Sequence, residues 1–394
     1  MPPSKPSLTR SRRICGGKFR DTIMDQVLQS LEQLNPIRVR GKVTRIVGLV
    51  IEGYCPGATL GSLCEVMPLH GQGLCVLAEV VGFRDSVAQL MPLGEMHGLG
   101  VGSLIRVLDT SVHVETGPDM LGRVIDAMAS PLDGKGPIAC PDHRPLYQLP
   151  PSPMERSPIS DSLDLGVRAI NGLLTCGMGQ RMGIMAGSGV GKSVLLGMMA
   201  KSTKADVNVI ALIGERGREV REFIEDDLGP DGLSRSVVVT ATSDQSPLLR
   251  MRGAFLAMSI AEYFCVQGKN VLMLMDSVTR FAMAIREIGL AIGEPPTTKG
   301  YTPSVFSKLP KLLERAGNFI GMGSITGLFT VLVDGDDMNE PVADAVRSIL
   351  DGHIVLSREL SARNHYPAID ILHSKSRVMP RLIDPVHARL SNRI

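Results

Sequence analysis

The chain has 394 residues, enough for about two or three domains, and hydrophobic residues make up 44% of it. No apolar stretch reaches the ~20 residues that a membrane-spanning helix needs, and the N-terminus shows no secretory signal. The net charge of +2 excludes a polyanion binder that relies on bulk charge, and the seven cysteines form no C-x-x-C pair, which indicates reduced thiols in a cytosol.

The first 36 residues combine a basic segment with a short predicted helix. Residues 1–20 hold six Lys or Arg residues and no acid, which leaves 36 of the 42 bases against 40 acids in the rest of the chain. Such a tail favours contact with anionic lipid or an acidic partner, but its composition is also typical of a disordered tail or a mitochondrial presequence. Residues 21–35 have the apolar spacing of a helix, which ends before Pro36 and docks a partner or packs on the chain itself.

Residues 37–108 are predicted to form a small all-β barrel domain. Short β-rich segments alternate there with turns that contain Gly or Pro, a pattern typical of several strands joined by tight connections. The predicted strands are residues 39–51, 63–68, 74–83, 87–91 and 104–108.

Residues 109–379 are predicted to form an α/β core that includes a proline-rich connector. The connector covers residues 121–165, with short strands expected near Val124 and Leu146. From Gly166 onward strands alternate with helices, and strands that are apolar on both faces indicate a parallel sheet covered by helices. The predicted strands are residues 182–185, 207–213, 237–240, 271–275 and 328–333, and the predicted helices are residues 193–201, 218–226, 247–267 and 279–291.

A glycine-rich loop after the first core strand matches the pattern G-x-x-x-x-G-K-[ST], except that Ala186 replaces the first Gly. Glycines let the backbone turn tightly, so that successive N–H groups converge on phosphate oxygens at the positive end of the following helix. Lys192 would reach the β- and γ-phosphates of ATP, and the Ser193 hydroxyl would hold Mg²⁺. The alternative is a glycine-rich turn that binds no ligand. The residues assigned to the nucleotide are Gly187, Ser188, Gly189, Val190, Gly191, Lys192 and Ser193.

Two carboxylates follow predicted strands of the core. Asp276 lies where a carboxylate holds the Mg²⁺ of a nucleotide, although the same side chain could cap the next helix. Glu215, in the string GERGRE, is a candidate for the carboxylate that polarises the attacking water. Arg216 could help to neutralise the γ-phosphate. The alternative for this string is a surface ion-pair cluster that involves Glu219 and Arg218.

Two residues near the C-terminus are candidates for further contacts with the nucleotide. Tyr366 precedes a proline and could offer its flat ring to adenine. Arg377 lies in a predicted polar loop, and phosphoryl-transfer enzymes often receive such an arginine from a neighbouring subunit. Ordinary surface structure explains both positions equally well.

Together these motifs resemble the catalytic subunits of rotary-type ATPases, the family of F1 β. They are still more similar to the flagellar protein export ATPases and their type III secretion relatives. The resemblance covers about residues 38–380 and rests on strings such as ALIGERGREVREFIED, residues 211–226. The strings REIGLAIGEPPTTKGY and DGHIVLSREL are more typical of flagellar than of injectisome proteins, whereas the first twenty residues match no family pattern.

The resemblance implies a fold and a set of residue roles. The fold would be a RecA-like P-loop NTPase core with a parallel sheet, preceded by a small N-terminal β-barrel domain. Residues 380–394 would be only the start of a C-terminal helical domain, which we expect to be truncated. Lys192 and Ser193 would bind phosphate and Mg²⁺, with Asp276 also on Mg²⁺ and Glu219 reaching it through a water. The other implied roles are water activation by Glu215, γ-phosphate contacts by Arg216 and Arg280, adenine stacking by Tyr366 and an arginine finger at Arg377 that reaches the next subunit.

The function that the resemblance implies is a Mg²⁺-dependent, ATP-hydrolysing motor of bacterial flagellar protein export. It would act as a homohexamer with stalk and stator proteins, and couple hydrolysis to chaperone release and to the unfolding of exported proteins. We expect it in the cytoplasm, peripherally associated with the inner face of the plasma membrane. An injectisome ATPase is the alternative within the family.

Two other classes of protein are less consistent with the sequence. A hexameric RNA translocase like the Rho factor stacks bases on aromatic side chains of its small β domain. Residues 38–108 contain only Tyr54 and Phe83 as aromatics, so we expect no nucleic-acid partner. A non-catalytic nucleotide-binding subunit, like F1 α, would have no need of the carboxylate of Glu215.

Overall fold

The computed structural model describes residues 40–69, 74–333 and 340–393. The basic segment 1–20 and the predicted helix 21–35 therefore lie outside the described residues. All elements below belong to one compact unit, Gly41–Ile394. Among the described residues, no helix combines the length and the apolar character that crossing a bilayer requires.

A closed antiparallel barrel of six strands forms the first part of this unit, as the sequence predicts. The strands are β1 (Gly41–Val47), β2 (Val50–Tyr54), β3 (Leu63–Met67), β4 (Val76–Arg84), β5 (Val87–Pro92) and β6 (Leu104–Asp109), hydrogen-bonded in the order β1-β2-β5-β4-β3-β6. Buried apolar side chains such as Ile51, Val66 and Leu90 fill its interior. The single strand predicted at residues 39–51 is wrong, because the chain turns at Gly48, where φ of 54° favours glycine, and separates β1 from β2.

A nine-stranded, mostly parallel sheet forms the core. Its strands are β8 (Arg123–Asp126), β10 (Arg181–Ala186), β11 (Val207–Ile213), β12 (Ser236–Ala241), β13 (Asn270–Asp276), β14 (Gly317–Asn318), β15 (Ser324–Leu332), β16 (Gly352–Leu356) and β17 (Ile369–Ser376), while β7 (His113–Thr116) pairs with β9 (Asp142–Pro145). The main order is β17-β16-β10-β15-β13-β11-β12-β8, with β14 paired to β15. All neighbours are parallel except the pairs β16–β17 and β14–β15.

Helices and a π-helical segment connect these strands. They are α1 (Arg168–Leu173), α2 (Lys192–Ser202), α3 (Gly217–Glu222), the π-helix Phe223–Leu228, α4 (Gly229–Ser234), α5 (Pro247–Val266), α6 (Val278–Ala291), α7 (Pro303–Leu313), α8 (Pro341–Ile349), α9 (Arg358–Ala362), α10 (Met379–Leu382) and α11 (Pro385–Ser391). Three short 3₁₀ turns lie at Pro118–Met120, Pro153–Glu155 and Thr298–Gly300.

Both faces of the sheet are buried, as the apolar strands predict. Along β11, Val209 and Ala211 belong to the apolar cluster that contains α5, whereas Ile210 packs in the cluster that contains Leu195 and Leu196 of α2. Alternate side chains of one strand therefore enter two different cores, and this is why the strand needs no polar face. The α/β fold class expected from the sequence is confirmed.

On one side of the sheet the structure has two outermost strands, β16 and β17, that the sequence pattern does not predict. Strands β16 and β17 form an antiparallel pair beside β10, and β17 carries mainly polar side chains and buries only Ile369 and Ser376. The strand expected near Val124 is β8, which joins the main sheet next to β12, and the strand expected near Leu146 is β9. Because β10, β11 and β13 are parallel, their carboxyl ends meet at one edge, and the loops that follow them lie close together.

Candidate active site at the carboxyl edge of the sheet

The glycine-rich loop, residues 187–191, connects β10 directly to α2. Gly189 and Gly191 have φ values of 78° and 85°, a conformation that side chains other than glycine rarely adopt. Gly191 is also the N-cap of the eleven-residue α2, whose first N–H groups and dipole point toward the loop. The backbone thus has the form of an anion-binding turn at a helix N-terminus, as the sequence predicts.

Lys192 brings the two predicted carboxylates together. Its Nζ donates a hydrogen bond to Oδ1 of Asp276 and lies 3.8 Å from Oε1 of Glu215. Only 12% of the Lys192 side chain, 17% of Glu215 and 4% of Asp276 is exposed. The N-cap of α6 is Ser277, whose Oγ accepts the Arg280 N–H at 3.3 Å. Asp276 therefore does not act as the helix cap that the sequence left open.

Glu215 is a carboxyl group that is protonated more readily than usual. Burial, the charge of Asp276 and contact with Glu219 together raise its pKa to about 7, against the opposite effect of Lys192. A carboxylate with a pKa near neutral pH is suited to accept a proton from water, because both protonation states are accessible.

Three further predicted residues line the same cleft, which has a volume of about 620 Å³. Arg216 is exposed, and its Nη1 lies 3.3 Å from Oε1 of Glu219. Surface ion pairs are thus present here, but Arg218 pairs with Glu222 and not with Glu219, as the alternative interpretation expected. Arg280 packs against Gly214, where a Cβ would lie 2.8 Å from the Cβ of Arg280. Within the described residues, the buried Nε of Arg280 has no hydrogen-bond partner. Arg280 therefore has unused donor capacity beside this cleft.

Tyr366 and Arg377 lie at opposite edges of the sheet. A Cβ on Gly191 would come within 3.4 Å of the exposed Tyr366 ring, so this ring borders the glycine-rich loop. Arg377 follows β17, and its N–H donates to the Asp351 carbonyl, while the Asp351 N–H donates to the carbonyl of Arg181 at the start of β10. Six residues of extended chain separate Arg181 from the loop, roughly 20 Å at about 3.3 Å per residue. Arg377 thus lies away from the cleft of its own chain.

Comparison with known proteins places this site in a family. Residues 166–376 match the nucleotide-binding domain of the ATP synthase alpha/beta family. The chain belongs to the ATP synthase alpha/beta family. A flagellum-specific ATP synthase of Treponema pallidum is 55% identical, over 90% of this chain and 79% of that protein. A flagellum-specific ATP synthase of Salmonella typhimurium is 53% identical, over 93% of this chain and 82% of that protein.

Further proteins that are similar to this chain belong to type III secretion systems. A type 3 secretion system ATPase of Xanthomonas euvesicatoria is 52% identical, over 90% of this chain and 80% of that protein. The assembled ATPase EscN of the enteropathogenic E. coli type III secretion system superposes with a TM-score of 0.82 at 48% identity, covering 89% of this chain and 84% of EscN. The family resemblance inferred from the motifs is confirmed.

The donor groups of this ATP synthase family member fit a nucleotide with Mg²⁺. The Ser193 hydroxyl is exposed at the start of α2, and the Asp276 carboxylate lies behind Lys192. In the part of the chain that the structure describes, no group of three or more His, Cys, Asp or Glu side chains could hold a metal ion. The hydroxyl and carboxylate oxygens of Ser193 and Asp276 are donors of the kind that a magnesium ion takes beside phosphate oxygens and water. The unpartnered Nε of Arg280 fits an anionic phosphate in the cleft.

Thr330 is a site residue that no sequence motif marks. Its Oγ1 lies 2.8 Å from Oδ1 of Asp276, because β15 runs beside β13 and brings the two residues level. The available signal is a hydroxyl near the end of a buried apolar strand, and that signal has no meaning until the strand order is known.

Proposed function

We propose that this chain is a Mg²⁺-dependent ATPase that drives protein export in a bacterial flagellum. The observation that carries the proposal is the cluster of Lys192, Asp276 and Glu215 at the end of a glycine-rich loop. A site that only binds a nucleotide needs the lysine and the loop, whereas hydrolysis also needs a carboxylate to activate water. The raised pKa of Glu215 is the property such a carboxylate requires.

Each residue then has a role in binding or hydrolysis. Backbone N–H groups of residues 187–191 and the Lys192 ammonium bind the phosphates. Ser193 and Asp276 would hold Mg²⁺, with Glu219 contributing through a water, and the ion would neutralise charge on the phosphate oxygens. Glu215 orients a water and takes its proton.

Three other side chains complete the proposed site around the nucleotide. Arg280 contacts the γ-phosphate, for which its free Nε is suited, and Arg216 does the same after leaving Glu219. Tyr366, which borders the loop, stacks on adenine.

Arg377 acts in the site of the neighbouring subunit of a homohexamer. Its position at the amino edge of the sheet, away from its own glycine-rich loop, supports this role. A chain with both a complete loop and a distant arginine can form identical sites at every interface of a closed ring. EscN, which shares the fold, is described as an assembled ATPase, and this also supports an oligomer.

The proposed partners are a central stalk, stator proteins and complexes of chaperones with exported proteins. A structure of assembled EscN with its central stalk EscO, at 48% identity to this chain and a TM-score of 0.81, supports the stalk. The chain would act in the cytoplasm, peripherally at the inner face of the plasma membrane, and the basic residues 1–20 would contribute contact with anionic lipid.

An injectisome ATPase is a second candidate function, because a type 3 secretion system ATPase is 52% identical to the chain. A flagellum-specific relative reaches 55% identity, and the strings REIGLAIGEPPTTKGY and DGHIVLSREL favour the flagellar function. Expression of the chain in a bacterium that lacks its flagellar export ATPase separates the two functions. Restored swimming with wild type, and none with Glu215→Gln, is the expected result; wild type that restores only effector secretion in an injectisome mutant would contradict it.

Hydrolysis itself is tested by measuring ATPase activity per subunit against protein concentration. An interface site predicts that specific activity rises with concentration and reaches a plateau as rings form. Activity that is absent in the presence of Mg²⁺ at every concentration, in a preparation shown to form rings, would refute the proposed enzyme.

A further inference from the structure

Thr330 is a fully buried hydroxyl at the carboxyl end of β15. It lies in the strand sequence SITGLFTVL, where the residues around it are apolar. The Thr326 hydroxyl, four residues earlier, accepts the Gly179 N–H at 2.8 Å and so has a structural partner. A valine at position 330 would fill the same volume and favours strands as strongly. Packing alone therefore does not account for the hydroxyl, which must have a partner to be buried at little cost.

The partner of Thr330 is the carboxylate of Asp276. Oγ1 lies 2.8 Å from Oδ1 of Asp276 and 3.2 Å from the carbonyl oxygen of Met275. A hydroxyl has one hydrogen to donate, and the shorter contact to a charged acceptor is the stronger hydrogen bond. Lys192 donates to the same Oδ1 atom. Among the described residues no hydrogen bond reaches Oδ2, so both donors fix one oxygen and leave the other free.

We propose that Thr330 is a positioning residue for Asp276, which holds the carboxylate in place when Lys192 turns toward a phosphate. The Lys192 ammonium has three hydrogens to donate, and with a nucleotide bound it also donates to phosphate oxygens, which weakens its hold on Oδ1 as it moves toward them. Thr330 then remains as a side-chain donor to Oδ1, and Oδ2 stays available as the oxygen that Asp276 would offer to Mg²⁺. This inference rests on the proposed function, since it assigns a task to the residue behind the proposed magnesium ligand.

The test compares three variants by equilibrium binding of ADP with Mg²⁺ and with a chelator. Thr330→Val removes the hydroxyl and keeps the volume, Thr330→Ser keeps the hydroxyl, and Thr326→Val is a matched control on the same strand. The ratio of the two affinities gives the contribution of Mg²⁺ without reference to turnover. Residues that support a metal ligand typically change metal affinity by roughly 10- to 100-fold. We expect Thr330→Val to reduce this ratio by that factor, and Thr330→Ser and Thr326→Val to retain it.

A wild-type ratio in Thr330→Val would overturn the positioning role, and so would an equal loss in Thr326→Val, which would indicate a general effect of strand stability. If Thr330→Val does not fold, Thr330→Ala compared with Thr330→Ser tests the same hydroxyl. Asp276→Asn separates this inference from the proposed function. If the gain in ADP affinity from Mg²⁺ disappears in Asp276→Asn but not in the Thr330 variants, only the positioning role is refuted. If the wild-type protein binds ADP no better with Mg²⁺ than with a chelator, the proposed site itself is refuted.

Discussion

Replacing Glu215 with glutamine is expected to stabilise the nucleotide-free protein above neutral pH, although it should slow ATP turnover. Burial and the charge of Asp276 raise the pKa of Glu215 from its ordinary value of 4.5 to about 7. The folded protein holds this proton more tightly than the unfolded chain. Its free energy of unfolding therefore falls as the pH rises from the ordinary pKa to the folded one.

The size of the effect follows from the two pKa values. A difference of about 2.5 corresponds to about 3 kcal/mol, at about 1.36 kcal/mol for each pKa unit. The Glu215 side chain is 17% exposed and Lys192 is 3.8 Å away, so the carboxyl is shielded from most solvent screening but keeps one favourable charge nearby. The glutamine variant carries no titrating proton at this position. Its stability should lack the decline of about 3 kcal/mol.

Urea unfolding at several pH values between about 5 and about 8.5 measures this difference. The gap between wild type and Glu215→Gln should widen in favour of the variant over this range by most of the about 3 kcal/mol, because the decline begins just below about pH 5. Glu222→Gln is a matched control, because Glu222 lies half exposed on α3 in an ion pair with Arg218. Curves that stay parallel for wild type and Glu215→Gln would refute the electrostatic reasoning.

The same variant tests the catalytic role of Glu215. We expect it to bind ATP but to turn it over at least ~100-fold more slowly, because the group that orients and deprotonates the water is lost. Wild-type turnover should fall below about pH 7, where the carboxyl becomes protonated. Normal turnover in Glu215→Gln would make the assignment of the base wrong, whatever its stability.

Two further predictions concern nucleotide binding and the basic tail. Lys192→Ala should weaken ATP binding by at least ~10-fold, because it removes a charged donor worth about 1.5–3 kcal/mol. Lys201→Ala, at an exposed position near the other end of α2, should leave ATP binding unchanged. Equilibrium dialysis measures both affinities, and equal values for the two variants would contradict the phosphate role of Lys192. Deletion of residues 1–20 should reduce sedimentation with anionic liposomes and leave basal ATPase activity intact, and added salt should weaken binding of the full chain. Equal liposome binding by the two chains would leave the six basic residues without a lipid role.

Much of the core could be predicted because its signals are local. The glycine-rich loop needs only a strand, a turn and a helix in succession, and the apolar strands need only burial on both faces. The predicted strand 207–213 has the bounds of β11, and Asp276 is the last residue of β13. Each of these features depends on residues that are neighbours in the chain.

The remaining features depend on contacts between distant segments. Lys192 follows β10 and Asp276 ends β13, and the two side chains meet because only β15 separates these strands in the sheet. No sequence pattern specifies that strand order. The role of Thr330 depends on the same order. Strand β17 was not predicted because, at the edge of the sheet, it buries few side chains and lacks the apolar pattern of a core strand. The turn at Gly48 divides a continuous β-rich run that has no other break in its composition.

The position of Arg377 leads to a last prediction, which concerns two inactive variants that restore each other. Arg377→Ala should abolish turnover, because the arginine that stabilises the transferring phosphoryl group is lost. ATP binding by its own subunit should stay nearly unchanged, because the length of β10, roughly 20 Å, separates Arg377 from its own glycine-rich loop. Lys192→Ala should damage binding in its own subunit and keep a functional arginine.

Mixed rings of Lys192→Ala and Arg377→Ala contain some interfaces that pair an intact glycine-rich loop with an intact arginine. Titrating one variant into the other should therefore recover part of the ATPase activity, with a maximum at intermediate ratios. The double variant Lys192→Ala/Arg377→Ala is the control, because its rings with Lys192→Ala contain no intact loop and should stay inactive. No recovery, in a mixture shown by crosslinking to form mixed rings, would mean that Arg377 acts within its own subunit or only supports the structure. Recovery would instead require that the nucleotide lies between subunits, because no single chain in the mixture has both groups.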